Sequence, residues 1–288
     1  MGLSYGYGGA ATGLRGSLPD VQMMRVPAMP IPSADQLALA QQLADASAEV
    51  IRSFYRSAFT IIDKDDDSPV TQADREAEKA MRALIAARRP QDGIIGEEFG
   101  EQNADADWVW VLDPVDGTKS FTVGRPLFVT LIGLMYRGEP VFGVINQPIT
   151  ADRWLGGEGV PTTLNGQPVK SSDVEALAGA IIGTTGPEYL PHARPVFESL
   201  AKRSRYQIYG GDGYLYAQLA SGWLQLVVEE GLKLHDFAAL APVVNAAGGR
   251  MTDWQGRNLH RHSEGCVLAA ANATLHAAVL PELAALAV

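Results

Sequence analysis

Apolar residues recur at helical spacing in the first part of the chain and gather into short runs after it. Ser33 and Gln36 resemble a capping box. Leu39, Leu43, Ala46, Val50 and Phe54 follow on one stripe, which predicts an amphipathic helix to about Ser57. The acidic run Asp63–Asp67 interrupts the pattern. A second stripe, Ala77, Met81, Leu84, Ile85 and Arg88, predicts a helix that ends before Pro90. Gly93–Gly96 then reads as a short strand ending in Glu97-Glu98. The apolar run Trp108–Leu112 reads as a buried strand. Phe128–Tyr136 and Pro140–Gln147 read as a hairpin joined by Arg137-Gly138-Glu139.

Beyond about Thr150 the pattern changes to alternating strands and helices. Strands are expected at Gly179–Thr184, Tyr206–Tyr209, Trp223–Glu229 and Cys266–Ala270. Helices are expected at Pro191–Arg203, Gly213–Ser221 and Asp236–Ala247, the last stopped by Gly248-Gly249. Asn272–Ala287 reads as a closing helix kinked at Pro281. Residues 1–32 are Gly-rich and then Pro-rich and read as a flexible arm. The expected organisation is this arm, an N-terminal α+β half over 33–150 and a C-terminal α/β half over 151–288. Together they fit a layered α/β architecture.

A chain of 288 residues with 47% hydrophobic content sustains a large core in one or two domains. No apolar run approaches the ~18 residues that a membrane helix needs. The balance of 23 Lys+Arg against 33 Asp+Glu leaves −10, which disfavours nonspecific nucleic-acid binding. A small phosphorylated ligand stays compatible, provided cations neutralise its site. The single Cys266 excludes a disulfide framework and a Cys-based zinc cluster within this chain, and gives a cytoplasmic reading.

The chemistry concentrates in Trp108–Phe121, WVWVLDPVDGTKSF. The strand delivers Asp113 and Asp116 into one tight loop, with Gly117 and Thr118 directly behind. Two acceptor-only carboxylates three residues apart cannot both shed water cheaply without a cation. A Gly-Thr turn offers backbone N–H groups to an anion. Alone, D-x-x-D-G is also ordinary turn chemistry. Glu97 and Glu98 form a second strand-end acidic pair, which alone reads as a solvated strand end. Asp236 opens a helix, where an acid complements the dipole or supplies a further metal oxygen. Asp74 sits in a first helical turn in the same way. Asp63, Asp65, Asp67, Thr71 and Asp74 fall on EF-hand ligand positions. Ser68 occupies the position that needs Gly there, which argues against a calcium loop. The five His lack zinc spacing, and His235, beside Asp236, is the one placed near this chemistry.

Taken together, SPVTQAD (68–74), GEE (96–98), DPVDGT (113–118) and HDFAALAPVVNAAGG (235–249) resemble the inositol monophosphatase superfamily of Mg²⁺-dependent phosphatases, in the expected order. The resemblance spans roughly residues 35–275. It implies the αβαβα sandwich shared with fructose-1,6-bisphosphatase, and a homodimer. It implies two Mg²⁺ ions, or three, and a small phosphorylated metabolite as substrate. Carried over, Glu97, Asp113 and the Val115 carbonyl look like ligands of one ion, and Asp113, Asp116 and Asp236 of the second. Gly117 and Thr118 look like the phosphate cradle. The Thr118 hydroxyl and Asp74 look like the pair that activates water, with Glu98 assisting.

Within the superfamily, FGVINQPITADRW (142–154), YGGDGYLYAQLASG (209–222), LQLVVEEGLK (224–233) and GGRMTDWQG (248–256) are most similar to the histidinol-phosphate phosphatase branch. In that branch Asp212 and Glu229 would face the amino alcohol of the substrate, and an acidic pocket suits a cationic amine. One departure bears on substrate choice: His235 stands before Asp236, where Trp or Tyr is usual. The expected reaction is direct in-line hydrolysis of histidinol phosphate by activated water. The alternatives are inositol 1-phosphate or another small sugar or nucleotide phosphate, and more remotely a non-enzymatic calcium- or ligand-binding protein.

Overall fold

Ser33 caps the first helix α1 (Ala34–Phe54) as expected, its side chain accepting from the Gln36 N–H while Gln36 reaches back to the Ser33 N–H. The computed structural model describes residues 1, 29–57, 61–63 and 69–286. Nearly all of the expected arm, and Asp65, Asp67 and Ser68 of the EF-hand-like run, lie outside the described residues. Next come β1 (Ile61–Asp63), its antiparallel partner β2 (Pro69–Thr71) and α2 (Gln72–Arg88). Thr71 caps α2 through a second capping box, whose reciprocal acid is Asp74.

The first sheet follows, with β3 (Gly93–Gly96), β4 (Gly100–Gln102), β5 (Trp108–Asp116), the short helix α3 (Thr118–Thr122), β6 (Val129–Tyr136), β7 (Glu139–Gln147), β8 (Asp152–Gly157), β9 (Val160–Leu164) and β10 (Gln167–Pro168). Its order is β10-β9-β8-β7-β6-β5-β3-β4. A second sheet holds β11 (Ile181–Thr184), β12 (Tyr206–Tyr209), β13 (Leu226–Glu229), β14 (Arg250–Asp253) and β15 (Val267–Ala270), in the order β12-β11-β13-β15-β14. The helices threaded through it are α4 (Arg194–Arg203), α5 (Tyr214–Ala220), α6 (Leu234–Phe237), α7 (Leu240–Ala246) and α8 (Ala273–Ala284).

Three apolar cores stack the elements into five layers. Leu39, Leu43, Met81 and Ile85 of α1 and α2 pack on Trp110, Leu112 and Leu134 of the first sheet. On the other face, Leu131, Ile145 and Trp154 meet Leu215, Leu219, Leu240 and Val243 of the middle helices, which also cover Val227 and Val267 of the second sheet. Phe197, Leu200, Leu275 and Val279 of α4 and α8 close the far side over Ile182, Leu226 and Leu268. This is the expected αβαβα sandwich. No described helix is long and apolar enough to cross a membrane.

Three details differ from the sequence reading. β5 does not stop at Leu112: it runs to Asp116, with the pairing to β6 irregular between Asp113 and Asp116. The helix expected over Asp236–Ala247 is two short helices, α6 and α7. Strands β8 to β10 join the first sheet, so the change of sheet falls between Pro168 and Ile181, later than residue 150.

One close approach fixes the middle layer. Gly133 and Gly143 face each other across β6 and β7. A Cβ on Gly143 would lie 1.9 Å from the Ala239 carbonyl oxygen, and one on Gly133 would lie 2.9 Å from the Ala238 carbonyl carbon. The α6–α7 junction therefore rests on bare sheet backbone, three residues beyond Asp236. Gly143→Ala is expected to push this junction away, at the cost of overpacking, about 1–3 kcal/mol. Thermal unfolding should show a fall of several degrees, and an unchanged midpoint would remove the constraint.

Candidate active site

The acids the sequence singled out come from separate elements and meet at one end of the first sheet. Asp113 is 2% exposed, and its Oδ1 accepts from the Val115 N–H at 3.0 Å. The Thr118 hydroxyl donates to the Val115 carbonyl at 3.0 Å, directing its proton to Val115 rather than to Asp74. Asp116 accepts from the Gly213 N–H, a contact between the two halves of the chain. Asp236 enters from α6 and accepts from the Lys233 N–H at 2.6 Å. One ligand oxygen from each of Asp113, Asp116 and Asp236 lies within 4.8 Å of the others. Glu97, Asp113 and His235 form a second such group.

Gly117 needs to be glycine. Its φ is 89°, in the left-handed region. A Cβ there would also lie 2.9 Å from Asp212 Oδ2. Asp212 itself has φ 44°, so its carboxylate is held against the turn that follows the metal-type acids. Glu229, at the end of β13, accepts from the Thr185 N–H at 2.6 Å. A cavity of about 280 Å³ opens between these groups, lined by Glu97, Asp116, Thr118, Asp212, Glu229 and Asp236 among others.

Burial dominates the electrostatics. It raises Asp74 and Glu229 to about 7 and Asp212 to about 6. For Asp74 the hydrogen bonds from Thr71 pull the other way, and Glu97 and Glu98 push it further up. Asp113 and Asp116 are driven well above the carboxylate range, first by burial, then by their neighbours: Glu97 and Asp116 on Asp113, Asp212 and Asp236 on Asp116. Burial raises Asp236 too, while His235 lowers it. Asp74 Oδ2 takes the Thr71 bonds, but its Oδ1 is buried with no hydrogen-bond partner. The clustered carboxylate oxygens of Asp113, Asp116 and Asp236 fit hard divalent cations, which take oxygen ligands. The residues able to hold them are Glu97, Asp113, Asp116 and Asp236, with His235 as an added nitrogen donor.

One contributor escaped the sequence reading. Glu78 is fully buried on α2 and accepts from the N–H groups of Glu98 at 2.8 Å and Phe99 at 3.2 Å. Arg82 pairs with it at 2.7 Å. Gly96 leaves the room, since a Cβ there would meet Glu78 Oε1 at 2.0 Å. Glu78 thus anchors the turn that presents Glu97 and Glu98, whose side chain lies 3.7 Å from Arg75. The legible signal was an acid beside Ala77 on the apolar stripe, with an Arg four residues on. His235, expected near this chemistry beside Asp236, is brought within reach of Glu97 and Asp113.

Residues 34–286 match the model of the inositol monophosphatase family. The chain is similar to the bifunctional phosphatase IMPL2, chloroplastic, of Arabidopsis thaliana, at 48% identity over 223 residues, 76% of this chain and 64% of that protein. It therefore spans under two thirds of that relative's length. A histidinol-phosphatase of Chlorobaculum parvum is 35% identical over 81% of this chain and 91% of its own. An inositol monophosphatase from Zymomonas mobilis superposes with a TM-score of 0.79 at 45% identity, covering 89% of this chain and all of that one. The acids gathered here lie inside the matched region, and the chain belongs to the inositol monophosphatase family, as a phosphatase acting on phosphoric monoesters.

Proposed function

We propose that the chain hydrolyses histidinol phosphate to histidinol and phosphate, with Mg²⁺ as its metal. The observation that carries the substrate is the acidic lining that Asp212, packed on Gly117, and Glu229 give to the cavity beside the Gly117–Thr118 turn. A phosphate seated on that turn brings its leaving group against two carboxylates, which favours an alcohol bearing an ammonium. The likeness to a histidinol-phosphatase supports the same choice. A second reading, inositol 1-phosphate, is favoured by the likeness to the Zymomonas mobilis enzyme and by Glu229 as a hydroxyl acceptor.

Glu97, Asp113, the Val115 carbonyl, Asp116 and Asp236 would hold two ions, or three with Glu97 shared. When bound, Mg²⁺ supplies Lewis acidity toward the phosphoryl oxygens and makes water more acidic. The remaining work falls to the chain. Gly117 and Thr118 present backbone N–H groups to the phosphoryl oxygens, where negative charge must be held in the transition state. Asp74, poised near 7 by burial, accepts the proton of the attacking water. The Thr118 hydroxyl orients that water by turning from the Val115 carbonyl. Glu98, fixed by Glu78 behind it, assists Asp74. No covalent intermediate is needed.

Three outcomes test this reading. Asp113→Asn should lower kcat by roughly two orders of magnitude or more, the scale of losing one electrostatic catalytic group. Wild-type turnover in that variant would sink it. In a substrate panel, kcat/KM for histidinol phosphate should exceed that for inositol 1-phosphate, and parity would reject the branch while leaving the phosphatase intact. The third outcome concerns stability without metal. Asp74 and Glu229 rise from 3.8 and 4.5 to about 7 on folding, so between roughly pH 4 and 7 the folded chain keeps protons that the unfolded chain has lost. Their contribution is fully present below pH 4 and lost as pH rises through 7. In EDTA the unfolding midpoint should fall from pH 5 to pH 8, and Mg²⁺ should raise it more at pH 8. A midpoint in EDTA that climbs over that interval would contradict the buried acid cluster.

A further inference from the structure

The segment from Thr185 to Ala193 lies along the open side of the cavity and is pinned at three places. The Thr185 N–H donates to Glu229. The Tyr189 hydroxyl accepts from Lys119 Nζ. The N–H groups of His192 and Ala193 both donate to Glu230 at 3.1 Å. Lys119 and Tyr189 each line the cavity, the first from the turn after β5 and the second from the segment after β11.

Lys119 sits oddly for its surroundings. It is exposed, follows Thr118 directly, and lies in the field of Glu188 and Asp212. Asp212 packs its carboxylate on Gly117, two residues back along the chain. A flexible ammonium tethered so near a carboxylate has a high effective concentration for it. An ion pair between Lys119 and Asp212 is the expected default, and Lys119 does pull the Asp212 carboxyl down. Yet the hydrogen bond of the ammonium goes to the Tyr189 phenol, across the cavity mouth.

We propose that Tyr189 is a positioning residue for specificity: its hydroxyl holds the Lys119 ammonium off Asp212, leaving that carboxylate open to an ammonium on the leaving alcohol of the substrate. The inference rests on the reading of a phosphatase with a cationic leaving group. It separates two jobs within one pocket. The phosphate end of the substrate is held by the Gly117–Thr118 turn, whatever the leaving group. The other end is chosen by whether Asp212 is free or already neutralised. A neutral polyol gains at most a hydrogen bond from a free Asp212, whereas an amino alcohol gains an ion pair.

The test measures KM and kcat for histidinol phosphate and inositol 1-phosphate in the wild type, Tyr189→Phe, and Tyr189→Phe combined with Lys119→Met. The Phe variant keeps the ring and removes the hydroxyl. The ratio of the two kcat/KM values should fall about fivefold, the scale of one partly exposed ion pair, through a higher KM for histidinol phosphate. Adding Lys119→Met should return the ratio to its wild-type value, since no competing ammonium remains. An unchanged ratio in Tyr189→Phe overturns the proposal, as does an equal loss on both substrates, which marks a structural role. A deeper loss in the double variant also overturns it, by making Lys119 a phosphate ligand. Thermal unfolding of each variant separates these results from misfolding. A wild-type enzyme with no preference for histidinol phosphate overturns the substrate reading itself, and this inference with it, before any variant is made.

Discussion

Mutual repulsion among buried carboxylates is the constraint around which this molecule is arranged. Oxygens of Asp113, Asp116 and Asp236 lie within 4.8 Å of one another. At an effective dielectric of about 20, each ionised pair at that distance costs about 3–4 kcal/mol. Three such pairs reach on the order of 10 kcal/mol, which is comparable to the entire stability of a domain. The three cannot all be ionised in the folded chain unless positive charge arrives. They hold protons, or they hold cations; burial and their acidic neighbours raise Asp113 and Asp116, which is the direction repulsion demands without a cation. The site is therefore strained toward metal by the fold itself.

Holding such a cluster together demands rigid support, and most of it comes from backbone N–H groups. Val115, Gly213 and Lys233 each donate to one of the three acids, and Thr71 donates to Asp74. Glycines supply the clearance. Gly117 admits the Asp212 carboxylate, Gly96 admits Glu78, and Gly143 lets the α6–α7 junction settle on the first sheet. Asp116 bonded to Gly213 links the two halves directly, so the second sheet takes part in aiming the acids of the first. Destabilised charge and stabilised backbone balance at one place, a common arrangement where local rules are broken for function.

The acids and the turn behind them were legible because they sit in runs whose local pattern is strong. Trp108–Leu112 announces a strand, so whatever follows it must lie at a sheet end. The capping box at Ser33 marked the first helix start to the residue, whereas the box at Thr71 is a finding of the fold. Less could be read where the pattern depends on distant partners. DRWLGG is a strand because β7 and β9 flank it, with Gly156 and Gly157 so close to Thr162 and Val141 that a Cβ would not fit. The bulge between Asp113 and Asp116 arises from pairing with β6, which no periodicity within β5 encodes. Glu78 reads locally as one more charge on α2. Its role appears only when the turn at Glu98 folds over it. His235 likewise gains its neighbours from the break between α6 and α7, which sequence spacing alone merges into one helix.

The distribution of positive charge explains why substrate choice is the least legible property. Each acid in the cavity would be easy to neutralise with a fixed Arg or Lys, and the deep acids are instead surrounded by backbone donors and glycine. Arg82 is spent on Glu78, behind the turn, and Arg75 lies 3.7 Å from Glu98. Lys119 reaches the rim and is bonded to a phenol. His235 approaches Asp236 at 3.6 Å as a group whose charge is optional. On the proposed reading, neutralisation is left to what binds: cations among Asp113, Asp116 and Asp236, and the leaving group beside Asp212 and Glu229. A site built this way distinguishes its ligands by their charge at each position more than by their outline. The residues that set that charge, Lys119 and Tyr189, stand seventy positions apart in the chain. Neither belongs to a run of acids that draws the eye, and only the fold makes them neighbours.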